Sequence, residues 1–102
     1  MIAYYKEQFP NYDDTLKIPK EFEDWSYHND MMPCIGKRVI YKGNEIDIVI
    51  FQDYKDINLR ERDDTPRYHF IIRINSIIIF QYSTDNWSMI EEFIESINYL
   101  IL

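Results

Sequence analysis

The chain has 102 residues, a net charge of −7 and one cysteine. Its length sets one domain (residues 1–102), with room for one core and no deep cleft. The lone cysteine excludes an internal disulfide, two glycines exclude a Gly-rich phosphate loop, and 46% hydrophobic with 17% aromatic residues speaks against disorder.

The opening stretch, MIAYYKEQFPNYDD, has neither a basic region nor an apolar run of signal length. The longest apolar run, Ile77–Phe80, falls far short of the ~20 residues that span a bilayer. We therefore expect a soluble cytoplasmic protein. Pro19 suits a first helical position, and Phe22 and Trp25 follow at helical spacing, so a short helix is predicted over residues 19–25. The following stretch, WSYHNDMMPC, holds the cysteine, a histidine, an Asn-Asp pair and a proline. Asn29 and Asp30 suit an Asx-turn, Pro33 pushes Met32 toward extended geometry, and Met31 and Met32 suit core gaps.

KRVIYKGNEIDIVIF reads as a hairpin turning at Gly43-Asn44, which pairs Tyr41 with Ile46 and Val39 with Ile48. RYHFIIRINSIIIFQYS reads as a second hairpin with Asn75-Ser76 at its tip. The alternation there is not clean: Phe70, Ile72, Ile74, Ile77 and Ile79 share one face, and Ile71, Ile78 and Phe80 the other. Apolar residues on both faces predict central strands, covered on both sides. Residues 53–66 form a polar connection between the hairpins. Asp85 suits the N-cap of a last helix, where Ile90, Phe93, Ile94, Ile97 and Ile101 form one apolar stripe. The expected fold is α+β: a four-stranded antiparallel sheet of two hairpins, packed by a C-terminal amphipathic helix, with a short N-terminal helix and an irregular segment.

Candidate chemistry is sparse. His28, Asp30, Cys34 and His69 are metal-ligand types, but no C-x₂-C or H-x₃-H pair gives structural spacing. A Cys34 nucleophile with His28 or His69 as base needs an electropositive pocket that its MMP and IG flanks do not encode. Acid–base cleavage of RNA by the two histidines would draw an anionic substrate against the field of a −7 chain. The carboxylate pairs Asp13-Asp14 and Asp63-Asp64 lie in turn-like sequence. We expect no catalytic residue, no metal and no cofactor.

Charge is distributed unevenly. Residues 1–32 carry seven acids and three bases, residues 33–82 seven acids and eight bases, and residues 83–102 four acids and no base. Such ends repel nucleic acid and anionic membranes and attract basic partners. The best basic stripe, Lys37, Arg38 and Lys42, is short. On a helix Glu91 and Glu95 lie about 6 Å apart along the axis, while a DNA strand places a charge every ~3.4 Å. A row of carboxylates could thus occupy a phosphate channel. We therefore name Glu21, Glu23, Asp24, an exposed Trp25, Tyr27, Asp30, Glu91, Glu92 and Glu95 as candidate partner-binding residues.

Several segments, in order, form a wider pattern: Ser26-Tyr27-His28-Asn29-Asp30, Pro33-Cys34, Asp53-Tyr54, Arg60-Glu61, Arg67-Tyr68 and Thr84-Asp85-Asn86-Trp87. This pattern resembles a family of small bacterial and phage proteins with no assigned activity, in which a hydroxyl residue stands where this chain has Cys34. The resemblance covers about residues 22–95 and implies a phage or mobile-element setting, but no site. The function expected is an anti-CRISPR-like inhibitor that blocks a host defence complex through its nucleic-acid-binding surface, acting as a monomer or homodimer. The alternatives are an immunity protein neutralising a nuclease toxin and, less favoured by the residues, a small enzyme using Cys34 and His28.

Overall fold

A computed structural model describes residues 5–101. Its elements are a single-turn helix α1 (Tyr5–Gln8), strands β1 (Glu23–Asp24), β2 (Cys34–Tyr41), β3 (Asn44–Gln52), β4 (Tyr68–Ile74) and β5 (Ile77–Thr84), and helix α2 (Trp87–Ile101). The strands form one antiparallel sheet in the order β1-β2-β3-β4-β5. The class is the expected α+β with a C-terminal helix, but the sheet has five strands, not four. The extra strand comes from the segment where spacing predicts a helix over residues 19–25. Glu21 adopts a φ of 72°, which ends the turn begun at Pro19. Glu23 and Asp24 then pair with Gly36 and Ile35.

One face of the sheet carries the core. Ile35, Ile50 and Phe70 pair across β2, β3 and β4, with Ile48, Tyr68 and Ile72 on the same side. Helix α2 lays Ile90, Phe93, Ile94 and Ile97 on this face, as its apolar stripe requires. The Ile101 side chain lies outside the described residues. The helix is capped by Asn86, not Asp85: Asn86 Oδ1 accepts from Ser88 N at 3.0 Å. Asp85 instead accepts from Arg67 N at 2.9 Å.

The N-terminal segment adds Tyr5, Leu16 and Phe22 to the same core. Gln52 fixes it in place, because its side-chain amide donates to Lys17 O at 2.7 Å and accepts from Lys17 N at 3.0 Å. Asp13 takes the N–H groups of Lys55 and Asp56 at 2.8 and 2.7 Å.

Both hairpins differ from expectation in phase. The first turns at Lys42-Gly43, both at positive φ, so Tyr41 pairs with Asn44 and Val39 with Ile46. The register moves by two residues, which preserves the faces. The second turns at Asn75-Ser76 as expected, but a bulge between Ile72 and Arg73 shifts β5. Ile72 then pairs with Phe80, which joins the core face against Phe70 and Phe93 and leaves the opposite face where alternation placed it. Nor is β5 central: it is the sheet edge, with Ile77, Ile78 and Ile79 exposed.

Candidate functional site

The candidate acids separate into groups. Glu21, Glu91 and Glu95 line one groove of about 360 Å³ between the 19–21 turn and α2. Glu92 and Glu95 line a second, of about 560 Å³, with Tyr99 and Leu100. All four glutamates are exposed. Two bases stand beside Glu21: exposed Lys20, which lines the same groove, and Lys37, whose Nζ lies 4.0 Å from Glu21 Oε1 and donates to Asn98 Oδ1 at 3.3 Å. Lys37 is only 8% exposed and sits beneath the carboxylates, so Lys20 is the one base among the groove's lining residues.

Asp24 does not belong to this surface. It is buried, with Oδ2 accepting from Tyr5 N at 2.8 Å and Oδ1 from Ser26 N at 3.0 Å. Its carboxylate ties α1 to the sheet edge. Trp25 is half-buried rather than exposed, its indole lying across Gly36 on the face opposite α2. Glu23, paired with Gly36, is exposed on that same opposite face.

Tyr27 and Asp30 are exposed on the loop that leads into β2, away from the α2 glutamates. That loop walls a groove of about 630 Å³ whose other lining includes Met31, Phe51, His69, Ile71 and Ser83. His69 Nδ1 lies 2.8 Å from Ser83 Oγ, while Nε2 is buried without a partner among the described residues. Burial holds the imidazole below its usual pKa, against the pull of Asp53.

The residues considered for chemistry stand apart. Cys34, Phe51 and His69 form one cross-strand row, so Phe51 separates thiol and imidazole by two strand spacings, ~10 Å. Burial pushes the Cys34 thiol up to about 12, with Asp30 and Asp24 adding to the effect. Its Sγ donates to Trp25 O at 3.4 Å. His28 is directed elsewhere, with Nδ1 2.8 Å from Gln8 Oε1. Among the described residues, no three His, Cys, Asp or Glu side chains are grouped as metal ligands. The Lys37, Arg38 and Lys42 stripe also dissolves, because neighbours on a strand face opposite ways. Lys37 points under α2, whereas Arg38 grips Asp47 on the other face at 2.8 and 3.2 Å. Arg38 and Arg73 hold the Asp47 carboxyl below its ordinary pKa in spite of its burial.

No family model, curated protein or solved structure matches the chain.

The residues of the wider sequence pattern are engaged in internal ties. Arg67 O accepts from Asp53 N at 2.8 Å, and Arg67 Nε donates to Asp53 O at 3.0 Å. Arg67 also reaches Asp14 at 2.8 Å, which lowers the Asp14 pKa. The Arg60 guanidinium donates to the carbonyls of Tyr54, Lys55 and Thr65 and so closes the 53–66 connection. Ser26 Oγ accepts from Cys34 N at 3.3 Å, and Tyr68 packs edge-on against Trp87 at 5.2 Å. The WSYHNDMMPC stretch is thus a clamped loop that forms one wall of a groove. Tyr5 N, which donates to the buried Asp24, lies 19 residues away, and no local pattern announces it.

No described helix is long and apolar enough to cross a membrane.

Proposed function

We propose that the protein is a small acidic inhibitor from a phage or mobile element, anti-CRISPR-like, that binds a host defence complex where that complex holds nucleic acid. The observation that carries this reading is the convergence of Glu21 with Glu91 and Glu95 around one groove, beside Glu92. Residues 83–102 contain no lysine or arginine, so Lys20 alone offsets the three glutamates within that groove. A basic channel built for phosphates would meet a line of carboxylates along α2, extended by the 19–21 turn. Exposed Tyr99 and Leu100 add an apolar rim to that surface. Long-range attraction of this kind speeds association and weakens with salt.

The test is co-elution with purified CRISPR effector and restriction complexes, followed by a DNA-binding assay. The native chain should abolish DNA binding by a complex that it retains. The triple variant Glu91→Lys, Glu92→Lys, Glu95→Lys should bind at least ~10-fold more weakly, about 1.4 kcal/mol. A Glu61→Lys change on the distant 53–66 connection should have little effect. Full inhibition by the triple variant would remove α2 as the docking face. Failure against all such complexes, with tight capture of a basic nuclease toxin, would move the reading to an immunity protein.

A further inference from the structure

The meander leaves two sheet edges, and they are built differently. One is formed by β1, which is two residues long, and the outer part of β2, which carries Arg38 and is followed by Lys42. Short strands and charged side chains are ordinary guards against unwanted strand pairing. The other edge is β5, which has neither of these and is interrupted only by the bulge at Ile79. Its sequence, IIIFQYST, contains no charge, no proline and no glycine, in a chain that is 28% charged. Ile77, Ile78, Ile79, Phe80 and Tyr82 are 68, 52, 56, 40 and 41% exposed.

The ladder shows which peptide groups are free. Asn75 N donates to Glu45 O, and Arg67 O accepts from Asp53 N, so odd-numbered residues along β4 direct their peptide groups toward β3. Even-numbered residues therefore serve β5, and they pair there as Ile72 with Phe80, Phe70 with Tyr82 and Tyr68 with Thr84. Gln81 and Ser83 are left with their N–H and C=O groups aimed away from the sheet. The strand is regular from Phe80 to Thr84, beyond the bulge at Ile79, so an outer partner centred on Gln81 meets an unbroken ladder over Phe80–Tyr82.

We propose that β5 pairs antiparallel with β5 of a second copy, with Gln81 on the two-fold axis, joining two five-stranded sheets into one continuous sheet. An uncharged strand in a −7 chain is matched by another uncharged strand and meets no like charge on its own two-fold mate. With Gln81 opposite Gln81, Phe80 faces Tyr82 of the second copy, and Tyr82 its Phe80. Both aromatic pairs fall on the core face, beside the Phe93 rings that already touch Phe80 and Tyr82. At these exposures the five side chains leave on the order of 500 Å² free per copy, taking about 200 Å² for each. Strand pairing covers only the part that faces the mate, so the total stays below ~1,000 Å², the size of a weak, concentration-dependent association. The groove of Glu21, Glu91 and Glu95 lies at the 19–21 turn, which leads into β1 at the other end of the sheet from β5, so the pairing stands independently of that groove.

Light scattering after size exclusion should give twice the 12.6 kDa chain mass for the native protein at ~100 µM. Proline is tolerated on an edge strand where its missing N–H faces outward. Gln81→Pro should therefore keep the native circular dichroism and elute as a monomer, with dimerisation weakened at least ~10-fold. A native chain that stays monomeric at that concentration overturns the proposal, as does a folded Gln81→Pro chain that remains a dimer. Should Gln81→Pro fail to fold, amide exchange of the native chain decides. Gln81 and Ser83 amides should be protected like those of β4 where the mass is doubled, and should exchange quickly on dilution. Fast exchange in the doubled species places the interface elsewhere and overturns the proposal.

Discussion

Replacing Gly36 by alanine should destabilise the protein only while Trp25 is present. A Cβ at Gly36 would sit 1.9 Å from Cε3, 2.2 Å from Cζ3 and 2.3 Å from Cδ2 of Trp25. Carbon atoms in contact prefer about 3.5 Å, so the indole must retreat by ~1.5 Å or leave the sheet face. It cannot yield by flexing, because the clash falls on the rigid ring and Trp25 N is fixed to Cys34 O at 3.0 Å. Overpacking of this kind costs about 1–3 kcal/mol. At about 4–8 °C per kcal/mol for a domain this size, Tm should fall by ~4–24 °C. In a Trp25→Ala background the clash is absent, and the same change removes a glycine from a strand interior, a gain of about 0.5–1 kcal/mol. The effect of Gly36→Ala should therefore change sign between backgrounds. Urea unfolding of the four proteins measures this as a double-mutant cycle. Equal effects of Gly36→Ala in both backgrounds would refute the reasoning, and so would a single variant within ~0.3 kcal/mol of the native chain.

Asp24→Ala leaves the buried N–H groups of Tyr5 and Ser26 without an acceptor and should cost at least about 2 kcal/mol in urea unfolding, more than Glu23→Ala. Cys34, buried and with its thiol pushed up to about 12, should label slowly at pH 8 in the native protein and at the free-thiol rate in urea. His69 is held below 6.5 by burial, so the unfolded chain takes up its proton first as pH falls. Stability present above pH 6.5 is then lost on acidification, and His69→Gln should flatten the denaturation midpoint between pH 7 and 5, relative to the native chain. Asp47 has the depressed pKa of a paired carboxylate. Its contribution is present above the ordinary value of 3.8 and disappears as pH falls through the lower folded value, so Arg38→Met should weaken that part of the acid transition.

What can be read from the sequence follows from which signals are local. The α2 stripe is legible because Ile90, Phe93, Ile94 and Ile97 repeat at the helical period and all pack as one face. The Asn75-Ser76 tip is legible because those residues tolerate the φ of 48° and 71° that the turn uses. The first hairpin is displaced because Lys42, not Asn44, joins Gly43 in the left-handed region, at 51°, and lysine carries no such preference. The bulge is invisible because IIIF offers no alternation by which to phase a strand. Strand β1 is too short for a pattern, and its existence depends on a pairing more than ten residues away. The site divides in the same way. Glu91, Glu92 and Glu95 share a helix and can be seen together, and Glu21 can be added to them only by charge. The burial of Asp24 depends on the distant α1 and leaves no trace in its neighbours.

The bulge has a consequence for chain length. Between Ile78, which pairs with Arg73, and Phe80, which pairs with Ile72, the strand carries one residue more than its partner. Removing Ile79 would leave both of those pairings possible in an unbroken ladder, with Phe80 and Tyr82 still toward α2. The sheet edge is therefore a place where a sequence can shorten by one residue without reversing which side chains face inward. A deletion that would scramble any of the other long strands should here change mainly the local twist.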